Sequence, residues 1–169
     1  MINYIFNAVY KAVKEWIPER KYAKEDKYRD DLMRFLKKTL SSEDYAVKKG
    51  AFLDIAINDD VEIELKRNLK SENERKRLIG QIHLFMEKRS HAIIVLCGDV
   101  EQKTIEILNN HFKRYTSNSR LVQNKILRII PKDTSKTRRE KNESNPLLEK
   151  VLKKHRFSLQ KYMKKTQKN

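Results

Sequence analysis

The sequence predicts an α/β fold, a mixed central sheet flanked by helices in the order α-β-β-β-α-β and then α-β, with an added helix at each end. Three observations predict it. Apolar residues recur at helical spacing over residues 2–17, 25–40 and 71–88; they alternate with polar residues between 52 and 66; and they run unbroken from Ala92 to Cys97. A helical period that gives way to a strand period and then returns is the pattern of sheet strands joined by crossover helices.

The elements follow in order. Ile2, Ile5, Phe6, Val9, Val13, Trp16 and Ile17 form one stripe on a helix that ends near Pro18. Its mixed polar face, Glu15 beside Lys11 and Lys14, favours packing on its own domain over a membrane surface or a partner. A second helix spans 25–40, with Leu32, Met33, Phe35, Leu36 and Leu40 on its buried side. Tyr45–Val47, Phe52–Ile57 and Val61–Lys66 read as a β-meander, with Asn58-Asp59-Asp60 as the turn between the last two. Ser71 followed three residues later by Glu74 is a capping-box pattern that opens a helix to about Lys88. Ala92–Cys97 reads as a strand buried on both faces, 100–115 as a helix, and 121–130 as a strand stopped by Pro131. From Lys132 to Asn145 the chain is charged and aperiodic, which marks a linker. A last helix follows, with Leu148, Val151, Leu152, Leu159, Tyr162 and Met163 on one side. The expected organisation is therefore an N-terminal helix (1–23), a core domain (24–131) and a basic appendage (132–169).

Charge narrows the function. The chain of 169 residues carries 39 Lys/Arg against 23 Asp/Glu, a net charge of +16 that points to a polyanionic partner, nucleic acid first. Residues 132–169 hold 13 of the basic and 4 of the acidic residues, so over half of the excess lies there. No apolar run approaches the roughly 20 residues that span a bilayer, so no membrane insertion is expected. Asn7 and Lys11 interrupt the N-terminal apolar residues and no small-residue cleavage site follows, so a cytoplasmic location is expected. The only cysteine, Cys97, sits in an apolar run and reads as a buried, unreactive thiol.

Strand alternation puts Glu62, Glu64 and Lys66 on one face and Val61, Ile63 and Leu65 on the other. On the neighbouring strand Asp54 is the only ionisable residue among apolar ones, and a short hairpin brings it close to Glu64. Two carboxylates converging on a strand pair can hold a hard divalent cation such as Mg²⁺ or Mn²⁺. Lys66, on the face of Glu64, can position a water or offset the charge that develops on a phosphate.

Asp54, a turn and Glu64-Leu65-Lys66 together resemble the signature of the PD-(D/E)xK nuclease superfamily, whose restriction-endonuclease-like αβββαβ core matches the predicted order over residues 24–131. The resemblance implies that Asp54 and Glu64 bind metal, that the Leu65 carbonyl is a further ligand, and that Lys66 assists attack. Gln81-Ile-His-Leu-Phe85 is similar to the Gln-x-x-x-Tyr element of RecB-like nucleases, which makes Gln81 a site candidate and leaves Phe85 to packing. An acidic residue of the first core helix is also implied, for which Glu25, Asp30 and Asp31 are all candidates. Arg67, Lys70, Arg75, Lys76 and Arg77 are placed as phosphate contacts. His83 lies off the Gln81 side of its helix and His91, His111 and His155 show no metal-ligand spacing, so all four read as structural or solvent-facing.

The size resembles the Holliday-junction-resolvase-like branch, which implies a homodimeric, Mg²⁺-dependent DNA endonuclease acting on branched DNA. Three alternatives stand beside this reading: a nucleic-acid-binding protein without catalysis, a membrane-surface adaptor using helix 2–17, and a solvated edge-strand face at Glu62, Glu64 and Lys66.

Overall fold

The computed structural model describes residues 2–41, 44–89, 91–116 and 125–138. The elements are α1 (Ile2–Glu15), α2 (Glu25–Thr39), β1 (Val47–Lys49), β2 (Ile55–Ile57), β3 (Val61–Arg67), α3 (Glu72–Lys88), β4 (His91–Cys97), α4 (Gln102–His111), α5 (Lys113–Thr116) and β5 (Ile126–Lys132). The five strands lie in sequence order. β1, β2 and β3 pair antiparallel, and β3, β4 and β5 pair parallel, so the sheet is mixed as predicted. Parallel neighbours require crossover connections, which α3 and then α4 with α5 supply.

Strand alternation sorts the core into two layers. On one face Ile63 and Leu65 of β3, with Ile93 and Val95 of β4, meet Phe6, Val9, Val13 and Trp16 of the α1 segment and Leu32 and Leu36 of α2. On the other, Ile94 and Leu96 meet Leu78, Ile82 and Phe85 of α3 and Leu108 of α4. β4 has helices on both sides and is buried at every position, which accounts for its unbroken apolar run. The apolar face of α1 is spent on this core, so the surface that a membrane adaptor would use is covered by the protein itself. Among the described residues no helix is long and apolar enough to cross a membrane.

Local chemistry explains the boundaries. The predicted capping box forms at α3: the Glu74 N–H donates to Ser71 Oγ at 3.2 Å and the Ser71 N–H to Glu74 Oε2 at 3.3 Å. Asn58 and Asp59 take positive φ in the turn before β3, a conformation these residue types tolerate. At the far end of the sheet Gly98 has φ +75°, and a Cβ there would lie 2.1 Å from Asn68 Oδ1, which accepts the Asp99 N–H at 2.8 Å. Only glycine fits that crossing of the β3 and β4 ends.

Four expectations are corrected. β1 begins at Val47 rather than Tyr45. Residues 52–54 form a bend rather than the start of β2, because the Glu62 carboxylate accepts the N–H groups of Phe52 and Leu53. The helix expected over 100–115 is two helices that meet at Phe112. Pro131 lies inside β5 instead of stopping it; β5 is an edge strand, where a missing N–H is tolerated.

The first residues of the expected linker also prove to be docked. Lys132 Nζ donates to the carbonyls of Lys14 and Trp16 at 2.7 and 2.8 Å, closing the end of α1, and burial pulls its pKa down to about 8. The Arg138 N–H donates to the Pro18 carbonyl at 2.9 Å, its guanidinium pairs with Asp31, and Thr137 is buried. The expected strand start at 121–124, the rest of the linker, His155 and the C-terminal helix lie outside the described residues.

Candidate functional site

The site forms where β3 reaches its C-terminal end. Ile55 pairs with Ile63, which leaves Asp54, in the bend just before β2, beside the Glu64–Leu65 stretch of β3. Asp54 Oδ2 accepts the Leu65 N–H at 2.9 Å, which ties the loop before β2 to β3. Glu64 is 2% exposed and its Oε1 lies 2.6 Å from Lys66 Nζ. Lys66 also reaches Glu25 Oε1 at 3.2 Å, and Glu25 Oε2 accepts the Arg67 N–H at 2.8 Å. Glu25 belongs to the first turn of α2, so this helix start is fastened to the end of β3.

Geometry therefore chooses among the three acidic candidates of the first core helix. Glu25 stands at the site. Asp31 is fully buried elsewhere, where its Oδ2 accepts from the Trp16 indole at 3.2 Å and the Glu19 N–H at 3.0 Å. Asp30 pairs with Arg29 at 3.1 Å. One residue was missed by the sequence reading: Arg29, whose guanidinium lies 4.0 Å from Asp54 Oδ1. The available signal was its position four residues after Glu25, on the same helix face.

Ionisation at the cluster is strained. Burial pushes the Asp54 carboxyl above its ordinary pKa, and the Leu65 N–H and Lys66 only partly offset this. Burial also raises the Glu64 pKa, and the neighbouring Asp54 charge raises it further against the pull of Lys66. For Lys66, burial works against its charge, but Glu64, Glu25 and Asp54 outweigh it, so its pKa ends above the ordinary value. Burial is thus the main obstacle to ionisation of the two carboxyls, and the cations around them offset it only in part. Glu62 and Glu64 are each 2% exposed on a central strand, so they are not a solvated edge face.

Beside the cluster a cavity of about 140 Å³ is lined by Glu25, Lys66, Arg67, Glu74, Arg77 and Gln81, among others. Gln81 thus joins the predicted residues, with its Nε2 3.4 Å from the Phe52 carbonyl, and Phe85 is buried as packing. Of the five basic candidates, Arg67 and Arg77 line the cavity. Lys70 pairs with Asp99, Lys76 pairs with Glu72 at 2.8 Å, and Arg75 reaches the Lys70 carbonyl at 3.4 Å. Leu65 enters the site through its backbone, since its side chain is buried in the core.

No family model, curated protein or solved structure matches the chain.

Among the described residues no group of three or more His, Cys, Asp and Glu side chains is arranged to hold a metal. Two carboxylates are enough for Mg²⁺, which keeps several waters and is commonly bound through one or two carboxylates plus substrate phosphates. The hard oxygen donors of Asp54 and Glu64 fit such an ion. A second feature hidden by sequence distance is the pairing of His83 with His111, whose Nε2 atoms lie 2.8 Å apart. Alone, two imidazoles fall short of the four ligands of a structural zinc.

Proposed function

We propose that this chain is a metal-dependent deoxyribonuclease of the PD-(D/E)xK type, with a restriction-endonuclease-like core, that hydrolyses phosphodiester bonds. The observation that carries the reading is the junction of Asp54, Glu64 and Lys66 at the end of β3, where a half-buried and a buried carboxylate meet a lysine beside a cavity lined by Arg67 and Arg77. The net charge of +16 supports a polyanionic substrate.

Asp54 and Glu64 would hold Mg²⁺ or Mn²⁺, with the Leu65 carbonyl as a further ligand by resemblance. When bound, the ion would supply a Lewis acid for a phosphoryl oxygen and lower the pKa of a water. Lys66 keeps its proton, because three carboxylates surround it, so it acts as a fixed cation toward the charge growing on the phosphate rather than as a base. Glu25 is a positioning residue: it holds Lys66 through Nζ and the strand end through the Arg67 N–H. Arg67, Arg77 and Gln81 line the space next to Lys66 and provide donors for phosphate oxygens. Dimerisation and preference for branched DNA belong to this proposal as its expected assembly and substrate.

The test is cleavage of linear, single-stranded and four-way-junction DNA with Mg²⁺. Asp54→Ala and Glu64→Ala should abolish cleavage while DNA binding is kept or tightened, and Lys66→Ala should lose most activity yet keep the metal by calorimetry. Cleavage that survives EDTA would overturn the proposal. DNA binding with no cleavage under Mg²⁺ or Mn²⁺ would favour the non-catalytic nucleic-acid-binding reading.

A further inference from the structure

The loop that leads into β2 presents an aromatic ring that the proposed chemistry does not use. Phe52 is 41% exposed, two residues before Asp54. By chain length its Cα lies within about 7 Å of that of Asp54, the span of about two stacked nucleotides at 3.4 Å each.

The loop is held by buried groups. Glu62, 2% exposed, accepts the Leu53 N–H at 2.7 Å and the Phe52 N–H at 3.2 Å through one oxygen. The Gly50 N–H donates to the Asp54 carbonyl at 3.2 Å, and a Cβ at Gly50 would stand 2.3 Å from the Leu53 carbonyl oxygen. Leu53 is anchored in the α3 face of the core. A buried carboxylate and an obligatory glycine therefore fix the backbone on which an exposed phenylalanine stands. The ring rests on Phe85 with centroids 6.3 Å apart and planes at 65°, and Lys88 Nζ and Arg89 Cζ lie over it, 5.4 and 5.7 Å from its centroid.

An exposed ring on a fixed backbone, with two exposed cationic side chains over it, is the combination that binds single-stranded nucleic acid: the cations turn outward to the phosphates and the base takes their place on the ring face. A base inside a continuous duplex is already stacked on its neighbours and offers no free face, so the occupant must be unpaired or splayed out. We infer that Phe52, with Lys88 and Arg89, is a stacking platform for one unpaired nucleobase next to the site of Asp54 and Glu64, so that the substrate carries a single-stranded or branched segment there. The inference rests on the nuclease reading for its functional meaning, but the platform can be tested without catalysis.

The test uses the full chain in EDTA, where the proposed chemistry is silent, and follows binding of a fluorescein-labelled single-stranded oligonucleotide and of a blunt duplex by anisotropy. Phe52→Leu keeps apolar cover over Phe85 but removes the aromatic face. It should weaken single-strand binding by about ten-fold while duplex binding stays within about two-fold. Phe52→Tyr should restore it. With the wild-type protein, an oligonucleotide carrying 2-aminopurine should lose fluorescence on binding as that base stacks, and the loss should be absent in Phe52→Leu. This readout keeps the test decisive even if Phe52→Leu folds poorly, because unquenched 2-aminopurine at every position along a strand bound by wild type would overturn the platform. Equal single-strand affinity for wild type and a folded Phe52→Leu would overturn it as well. Failure of the nuclease reading looks different: no cleavage with any metal, with the Phe52 dependence of binding intact.

Discussion

Asp31 separates a structural carboxylate from a site carboxylate, and replacing it has a calculable consequence. Its side chain is 1% exposed, and both oxygens are used. Oδ2 accepts from Trp16 Nε1 and the Glu19 N–H, and Oδ1 faces the Arg34 and Arg138 guanidiniums. Asp31→Ala orphans the first two donors, at about 1–3 kcal/mol each. The arginine pairs add at most about 1 kcal/mol, since the Arg34 side chain is 63% and the Arg138 side chain 35% exposed. Relief from burying a charge offsets part of this, so the net cost should be about 3–4 kcal/mol. Asp31→Asn can keep its carbonyl oxygen toward Trp16 and Glu19 and should cost about 1 kcal/mol. With a urea m-value of about 2 kcal/mol/M, the midpoint should fall by about 2 M for alanine and about 0.5 M for asparagine. Trp16 is the only tryptophan, so its fluorescence reports the transition directly. Equal shifts for the two variants would refute the assignment of Oδ2 as acceptor of two buried donors. A folded Asp31→Asn should also retain cleavage, whereas Glu25→Gln should lose it.

Because burial raises the Asp54 pKa, the native state holds that proton to higher pH than the unfolded chain, so this group's contribution to stability falls as pH rises from its ordinary value of 3.8 through the raised one. Asp54→Asn should therefore be more stable than wild type at pH 7 without metal and lose that advantage on acidification; thermal melts in EDTA from pH 3 to 7 check this, and an advantage that grows toward low pH would contradict it. Glu62→Ala should expose the Leu53 amide to rapid hydrogen exchange and weaken single-strand binding as the Phe52 loop loosens, and unchanged Leu53 protection would reject Glu62 as its anchor. Removing residues 139–169 deletes ten Lys/Arg against three Asp/Glu, net +7, so the slope of log K against log salt for DNA should flatten by about 0.9 per lost phosphate contact. Truncation from Lys132 should in addition destabilise the fold, since it removes the Lys132 and Arg138 contacts to α1 and Asp31, and two truncations of equal stability would contradict their docking.

The sequence by itself determined the elements whose information is local. Period 3.6 in α1, α2 and α3, the Ser71-Glu74 capping box, the alternation of β3 and the continuous apolar run of β4 were all legible, because each depends on neighbours within a turn or a pleat. The nearness of Asp54 to the Glu64–Lys66 stretch was legible too, since a short hairpin transmits register over only a few residues. What the tertiary structure alone decided involves partners far apart in the chain. Glu25 rather than Asp30 or Asp31 reaches Lys66, because the α2 start happens to meet the β3 end across 41 residues. Glu62 turned an expected strand into a fixed loop by taking two backbone donors, and its burial reversed the appearance of a solvated charge row. Pro131 could enter a strand only because β5 is the sheet edge, and the charged run after it could dock only because Asp31 and the α1 end supply acceptors. Local pattern records which backbone conformation a segment prefers, but a hydrogen bond or ion pair between distant segments leaves no period in the sequence, since its geometry exists only once the layers have packed.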